Sequence, residues 1–233
     1  MKTGQVELGA RSRAGRTRTG AKGMRTKLTQ AERTALSDGR MIDAAVKLVS
    51  ARGTHNTTLK EIGEMAGYSR SLASSRFGSK EALFGELLTQ FNRRWKQEST
   101  SAVGDHRGLH ALLVANETLV DFFHHESDQI RALYLIWYET IGSSDMLRQR
   151  LSDQHAAYRR DLARWVREAI EDGAAVPDVA AETVALQYAA GVFGLIYQWL
   201  IHPEAIEIGS AIRALGLFAI RSVATSVPDP KPY

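Results

Sequence analysis

The helical spacing of its apolar residues constrains this chain more than any other feature. Apolar side chains recur three and four residues apart, as on one face of a helix, from Met41 almost to the C-terminus. Alternating runs rich in Val, Ile and Thr, which would indicate strands, are absent. Glycines punctuate the helical segments, and His202-Pro203 separates the last two. The sequence therefore predicts an all-α fold of about nine helices.

Capping signals place the first four helices. Ser37 is expected to cap a helix that begins near Asp38 and ends before Gly53. Thr58 and Glu61 have the spacing of a capping box. The predicted N-caps of the four helices are Ser37, Thr58, Ser69 and Ser79.

Charge divides the chain into two unlike parts. Residues 1–33 carry nine basic and two acidic side chains, a net of +7, whereas the remaining 21 basic and 24 acidic residues give −3. A basic arm on a mildly acidic body favours polyanions such as nucleic acid. The chain has no cysteine, which excludes disulfides, cysteine-ligated zinc and a thiol nucleophile, and fits the cytoplasm.

These patterns predict four regions. They are a basic arm without a core of its own at 1–33, a helix-turn-helix domain at 34–97 whose fourth helix bridges onward, a ligand-binding and dimerisation domain at 98–225, and a tail at 226–233.

One helix is apolar enough to raise the question of a membrane. Residues 183–201 contain no charged side chain and are nearly long enough to span a bilayer. Gln187, Tyr188, Tyr197 and Gln198 are polar, however, and several other positions are Ala or Gly. The segment is therefore interpreted as a buried helix of a protein without a membrane partner.

The segment 57–83 carries the functional signal. It predicts a capped helix, a turn containing Gly67, and a short second helix whose residues are small and polar. Small side chains let a helix enter the major groove, and hydroxyls and cations bind phosphates or base edges. A purely structural helix-turn-helix, as in many enzymes, is the alternative. The candidate DNA contacts are Arg25 and Lys27 of the arm, Thr57, Thr58, Lys60, Ser69, Arg70, Ser71, Ser74, Ser75, Arg76 and Lys80.

Residues 40–88 resemble the DNA-binding domain of the tetracycline-repressor (TetR) family. The matching elements are Ala44-Ala45, Gly53, Thr57-Thr58-Leu59, Ile62-Gly63, Ala66-Gly67-Tyr68-Ser69, Phe77 and Ser79-Lys80-Glu81. The resemblance implies that Thr58 and Lys80 contact backbone phosphates, that Ser69, Arg70, Ser71 and Ser74 lie on the recognition helix, and that Phe77 fixes this helix to the core. The chain departs from the family where a Tyr or His is common, at residues 74–76; there Arg76 would replace the aromatic phosphate contact.

The resemblance also implies a dimer whose two DNA-reading heads are respaced by a small molecule. Asn116 and His155 interrupt apolar stripes, so each either forms an internal hydrogen bond or orients a ligand. In the second case a largely apolar effector is expected. The candidate ligand contacts are Asn116, Phe123, Tyr134, Trp137, His155, Tyr158, Trp165 and Phe193.

The last two helices are predicted to form the homodimer. The apolar stripe expected there comprises Ile208, Ile212, Leu215 and Ala219, with Gly191, Gly194, Gly209 and Gly216 permitting close approach. The predicted function is a repressor released from a palindromic operator by this effector. The alternatives are a regulator without an effector, an activator, and a helical enzyme with an incidental DNA-binding head.

No catalytic constellation, phosphate loop or HExxH motif is present in the sequence. The cluster His124-His125-Glu126 has side chains of the kind that bind metals, but neighbouring side chains on a helix diverge, so a metal site is not expected there. The sequence therefore predicts neither enzyme activity nor a metal or cofactor.

Overall fold

The computed structural model describes residues 29–142 and 145–226. Within these ranges the chain forms nine α-helices and one 3-10 helix, Pro203–Ala205, so the all-α prediction is confirmed. The α-helices are α1 (Gln30–Arg52), α2 (Leu59–Met65), α3 (Arg70–Phe77), α4 (Lys80–Val103), α5 (Gly108–His125), α6 (Ser127–Ile141), α7 (Asp145–Glu171), α8 (Ala181–Ile201) and α9 (Ile208–Val223).

The first helix begins earlier than predicted. Thr29 caps it, and the Glu32 carboxylate accepts a hydrogen bond from the Thr29 backbone amide at 2.7 Å. This capping box adds two turns before Asp38, so the predicted cap at Ser37 is wrong. Ser37 lies inside the helix, and its hydroxyl donates to the carbonyl of Thr34.

Two of the other three predicted caps are confirmed. The Thr58 hydroxyl accepts from the amide of Glu61, and the Ser79 hydroxyl accepts from the amide of Ala82. Ser69 occupies the N-cap position of α3, but its side chain makes no capping hydrogen bond. The first turn of α3 therefore has no side-chain cap.

One hydrophobic cluster joins the first four helices to α6. Met41 and Val49 of α1 pack with Ile62 of α2 and Leu83 of α4, and Leu133 of α6 belongs to the same cluster. The head of the molecule is thus continuous with its body through α6.

A second cluster joins α5, α7, α8 and α9 in the body of the molecule. Glycine allows α9 to approach α5 closely, because a Cβ on Gly216 would lie 2.5 Å from Cγ of Asn116. Ile208, Ile212 and Ala219 of α9 are buried within the chain.

The apolar stripe predicted to form the dimer therefore faces the interior of its own chain. Three of its residues lie in the chain's own core, and Leu215 contacts Gly191 of α8. The exposed apolar residues of α9 are instead Leu217 and Phe218. Helical periodicity identified an apolar stripe correctly, but α5 and α8 cover it rather than a second subunit.

Helix α8 has two unlike faces, so the prediction of a buried helix is correct for one face and wrong for the other. Tyr188, Val192 and Ile196 face the core, whereas Leu186 and Ile201 are exposed. By length and composition α8 is the one helix in the described ranges that is long and apolar enough to cross a membrane. Core helices of soluble proteins share this length and composition.

Candidate DNA-binding surface and effector cavity

The helix-turn-helix depends on two glycines. Gly67 has a φ of 80°, in the left-handed region that favours glycine, and turns the chain between α2 and α3. A Cβ on Gly63 would lie 3.2 Å from the carbonyl oxygen of Ser69 and 3.3 Å from Cβ of Ala73. Gly63 therefore lets α3 pack tightly against α2 and fixes the angle at which α3 is presented.

The outer face of α3 is small and polar. Ser69, Ser71, Ser74 and Ser75 are all exposed, and the hydroxyls of Ser69 and Ser71 lie 3.1 Å apart. Phe77 is half-buried and packs against the cluster of α1, α2 and α4. This arrangement presents four exposed serine hydroxyls to an incoming polyanion.

The predicted cations around α3 already have partners within the chain. Arg76 donates to both carboxylate oxygens of Asp38, at 3.0 and 3.3 Å. Lys80 Nζ donates to the carbonyl of Thr54 at 3.0 Å, and Lys60 lies 3.9 Å from the carboxylate of Glu64. Exposed pairs of this kind contribute little to stability, so their main consequence is to orient the cationic groups.

The two threonines before α2 differ. Thr57 is buried, and its hydroxyl donates to the carbonyl of Gly53 at 2.9 Å. The prediction that Thr57 contacts DNA through its side chain is therefore wrong, because that side chain closes the loop after α1. Thr58 is exposed, but its hydroxyl bonds the Glu61 carboxylate at 2.6 Å.

The remaining predicted DNA contacts are Arg25, Lys27 and Arg70. Arg25 and Lys27 lie outside the described residues, as does most of the basic arm. Arg70 is the first residue of α3. Sequence reasoning missed Asp38, whose role as the partner of Arg76 depends on a contact between residues 38 positions apart.

A cavity of about 340 Å³ lies between α4, α5, α6, α7 and α8. Its walls are mainly aromatic and aliphatic, with a few polar side chains on α4 and α7. The lining residues that the sequence predicted are Phe123, Tyr134, Trp137, His155, Tyr158 and Phe193. The structure therefore brings together six of the eight candidate ligand contacts.

Asn116 does not line this cavity, and the prediction that it faces His155 across a ligand is wrong. Its Oδ1 accepts a hydrogen bond from the Tyr188 hydroxyl at 2.6 Å, and its amide packs against Gly216. Trp165 also lies elsewhere, beside a separate void of about 20 Å³ next to Tyr158 and Tyr188. Asn116 is thus an internal partner, the alternative that its sequence position left open.

Sequence reasoning missed the contribution of α4 to the cavity. Phe91, Asn92 and Trp95 line it, and Lys96 at its edge donates to Asp161 at 2.6 Å. Phe91 and Trp95 continue the helical spacing of the apolar residues Leu83, Phe84, Leu87 and Leu88 in α4, and this spacing was a usable signal in the sequence. Helical spacing alone could not predict that these residues of α4 line the same cavity as residues of α7.

Burial sets the charge state of the cavity's titratable groups. Burial lowers the pKa of His155 to about 4, and the nearby Arg159 cation adds to this effect. Burial raises the pKa values of Tyr134 and Tyr158 well above the usual range for a phenol. At neutral pH the imidazole and both phenols are therefore uncharged, and the Lys96–Asp161 pair carries balanced charges at the edge.

The cluster at the end of α5 is not arranged as a metal site. His125 Nδ1 lies 2.7 Å from the carbonyl oxygen of Asp121, and Glu126 pairs with Arg94. Among the described residues, no group of three or more His, Asp or Glu side chains is placed to hold a metal ion.

Two family models match this chain. Residues 41–87 match the model of bacterial regulatory proteins of the tetR family, and residues 115–220 match the C-terminal domain of BetI-type transcriptional repressors. The chain belongs to the TetR family of transcriptional regulators. The predicted resemblance is thereby confirmed, and this TetR-family protein is a regulator rather than an enzyme.

Relatives of this TetR-family protein are moderately diverged. It is 26% identical to the regulator TtgR of Pseudomonas putida over 178 residues, which cover 72% of this chain and 82% of TtgR. It is 33% identical to the regulator YdgC of Bacillus subtilis over 95 residues, and it spans only 48% of that protein.

Solved structures share the fold. SmeT, repressor of a multidrug efflux pump of Stenotrophomonas maltophilia, has been solved with triclosan. The triclosan complex matches at a TM-score of 0.66 and 19% identity, over 84% of this chain and all but 1% of that one. A regulator from Saccharomonospora viridis in complex with choline matches at a TM-score of 0.70 and 18% identity, over 82% of this chain and 100% of that one.

Proposed function

We propose that this protein is a cytoplasmic, homodimeric, sequence-specific repressor that a small and largely apolar effector releases from a palindromic operator. The observation that carries the proposal is the aromatic cavity of the body, one wall of which is α6, the same helix that packs against α1 of the DNA-binding head. A regulator without an effector would have no need of such a cavity at this position.

The exposed serines of α3 support direct contact with DNA. Hydroxyls can donate to phosphates or to acceptors on base edges, and small serine side chains let a helix approach the groove closely. Lys60, Arg76 and Lys80 lie around the same surface and would add phosphate contacts. Two heads joined by a two-fold axis would read the two halves of a palindrome.

The exposed apolar face of α8 and α9 supports a second copy as the dimer partner. Leu186 and Ile201 of α8 and Leu217 and Phe218 of α9 are all exposed, and Phe218 is 71% exposed. An isologous interface would bury these side chains against their own equivalents and remove them from water. This face replaces the stripe predicted from the sequence.

The cavity supports an effector that is mostly apolar. Its walls offer aromatic contact with few polar groups, which is typical of pockets that bind drug-sized ligands. Triclosan in SmeT and choline in the Saccharomonospora viridis regulator are small organic molecules held by proteins of this fold. Because both ligands bind proteins of the same fold, the side chains that line the cavity, rather than the fold, determine which effector binds.

The test combines a binding assay with two surface variants. Anisotropy titrations against upstream DNA fragments should give one tight palindromic site, with affinity that falls by about 0.9 log units per log unit of salt for each phosphate contact. Phe218→Glu should yield a monomer in light scattering and lose this tight binding, because a charge at the two-fold interface repels its equivalent. Met146→Glu, an exposed apolar residue on α7, is the matched control and should remain dimeric.

Three results would contradict the proposal. They are uniform binding to all DNA fragments, a wild-type chain that is monomeric at micromolar concentration, and failure of any cavity-binding compound to change operator affinity. Transcription assays in vitro on the same operator then separate repression from activation.

A further inference from the structure

A groove between α7 and α8 is rich in arginine. It has a volume of about 250 Å³, and its lining residues are Ala156, Arg159, Arg160, Ala163, Arg167 and Glu182. We call it the arginine groove. Three guanidinium groups against one carboxylate give its lining a net charge of +2. The two alanines are small, so the charged side chains define the chemistry of the groove.

Two of the three arginines have no counter-charge within the chain. Arg167 pairs with Glu182, whereas Arg159 and Arg160 form no hydrogen bond or ion pair with any residue that the structure describes. Arg159 is nevertheless half-buried, and its neighbour Arg160 is exposed. Neighbouring like charges repel each other, and partial burial removes water that would otherwise solvate them. A bound anion would reduce both costs.

The arginine groove is separate from the sites described above. It shares no lining residue with the 340 Å³ cavity, because its residues lie on a different face of α7. Leu147 is the residue of α7 that belongs to the cluster of the DNA-binding head. Arg159 follows it by 12 residues, which is about 18 Å along a helix. The charges of the groove are therefore not part of the surface around α3.

We propose that the arginine groove is a second ligand site, which binds the phosphate group of a small phosphomonoester. Guanidinium groups match phosphate oxygens through paired hydrogen bonds. A phosphomonoester carries a charge of about −1.5 to −2 at neutral pH, which balances the net +2 of the lining, whereas a carboxylate or a phosphodiester supplies only one negative charge. The volume is below the range of about 300–1,000 Å³ for drug-sized ligands, so the ligand is small. This site does not depend on the proposed effector function.

The experiment measures binding of three phosphorus compounds to the full-length protein. Phosphorus NMR titrations at neutral pH and low ionic strength use glycerol 3-phosphate, inorganic phosphate and dimethyl phosphate, a diester with a single charge. Glycerol 3-phosphate should bind about tenfold or more tightly than dimethyl phosphate, because charge-assisted hydrogen bonds weaken when one charge is removed. Inorganic phosphate should bind within about threefold of glycerol 3-phosphate, since both present the same dianionic group.

Variants distinguish the groove from general attraction of anions by the basic arm. Arg159→Ala should weaken glycerol 3-phosphate about tenfold or more. Arg164→Ala is the matched control, because it removes the same charge from the same helix, but Arg164 pairs with Glu168 at 2.9 Å and does not line the groove. It should change the affinity by less than about twofold. Glu182→Gln removes the one carboxylate of the lining and should tighten binding by about threefold or more.

Four results would overturn the assignment. Equal losses in Arg159→Ala and Arg164→Ala would show general electrostatic attraction without a site. Dimethyl phosphate bound as tightly as glycerol 3-phosphate would contradict recognition of a dianion, and inorganic phosphate bound about tenfold more tightly would make this a site for free phosphate. A folded Arg159→Ala variant that is monomeric in light scattering, or that binds operator DNA with a reduced salt dependence, would make the groove a contact with a second copy or with DNA.

Discussion

Substitution of Gly216 by Ala should destabilise the protein through a single contact. The Cβ of an alanine at this position would lie 2.5, 2.6 and 2.7 Å from Cγ, Nδ2 and Oδ1 of Asn116. These distances are shorter than real Cβ contacts, so one side must move. Asn116 is 1% exposed and its Oδ1 is held by the Tyr188 hydroxyl at 2.6 Å, so it cannot swing into solvent.

The expected magnitude follows from overpacking. Adding a methyl group to a well-packed contact costs about 1–3 kcal/mol. For a chain of this size each kcal/mol lowers the melting temperature by about 2–4 °C. The intrinsic helix preference of alanine over glycine offsets about 0.5–1 kcal/mol of the loss, so Gly216→Ala should melt up to about 10 °C below wild type.

A double-mutant cycle assigns the loss to Asn116. Asn116→Ala alone should also destabilise, because it leaves the buried Tyr188 hydroxyl without its acceptor. In that background Gly216→Ala should cost little or nothing, since the clash is gone. The cycle therefore predicts a favourable coupling of about 1–3 kcal/mol between the two substitutions.

The measurement is urea or thermal unfolding at one fixed protomer concentration, because the stability of a dimer depends on concentration. Gly39→Ala is the control, since nothing lies within 4 Å of the Cβ that would be added in the middle of α1. It should be neutral or slightly stabilising. Additive effects at residues 116 and 216, or a Gly216→Ala variant as stable as wild type, would refute the reasoning.

Three further predictions concern the head and the cavity. Gly63→Val should weaken operator binding by about tenfold or more, because its methyl groups would push α3 away from α2; anisotropy of a folded variant measures this. Arg76→Ala should flatten the salt dependence of operator binding by about 0.9 log units per log unit of salt. Asp38→Ala removes only the partner of Arg76 and should keep the wild-type slope. If Arg76→Ala also keeps the wild-type slope, Arg76 does not contact phosphate. Folding lowers the pKa of His155 from 6.5 to about 4, so the unfolded chain binds this proton at a higher pH than the folded chain does. The free energy of unfolding should therefore fall as the pH decreases from about 6.5 to about 4. His155→Leu should lack this decrease when unfolding is measured across the same pH range.

Local signals in the sequence predicted local structure well. The box of Thr58 and Glu61 and the cap at Ser79 involve residues three positions apart, and both form as predicted. The capping box of Thr29 and Glu32 was not predicted, because the residues that follow Thr29 are largely polar and form no apolar stripe at the start of α1. Capping chemistry was sufficient there without an apolar face.

Which partner covers a buried face could not be predicted from the sequence. Helical periodicity shows that Ile212 lies on an apolar stripe, but it does not show what that stripe packs against. The sequence analysis therefore predicted a second subunit as the partner, whereas Ile212 is buried within its own chain. Asn116 was a candidate ligand contact for the same reason, since its partner Tyr188 is 72 residues away. His155, equally polar on an apolar stripe, does line the cavity. The sequence alone offered no means to distinguish the two residues.

The position of α6 explains why a ligand in the cavity would be felt at the DNA-binding head. Leu133 is buried, lines the cavity and belongs to the cluster that α1 forms with α2 and α4, and Trp137 one turn later also contacts both. Close-packed interiors do not deform continuously, so a ring inserted beside Leu133 and Trp137 would favour a different discrete placement of α6 against α1. The ligand can shift that equilibrium only by the difference between its affinities for the two placements.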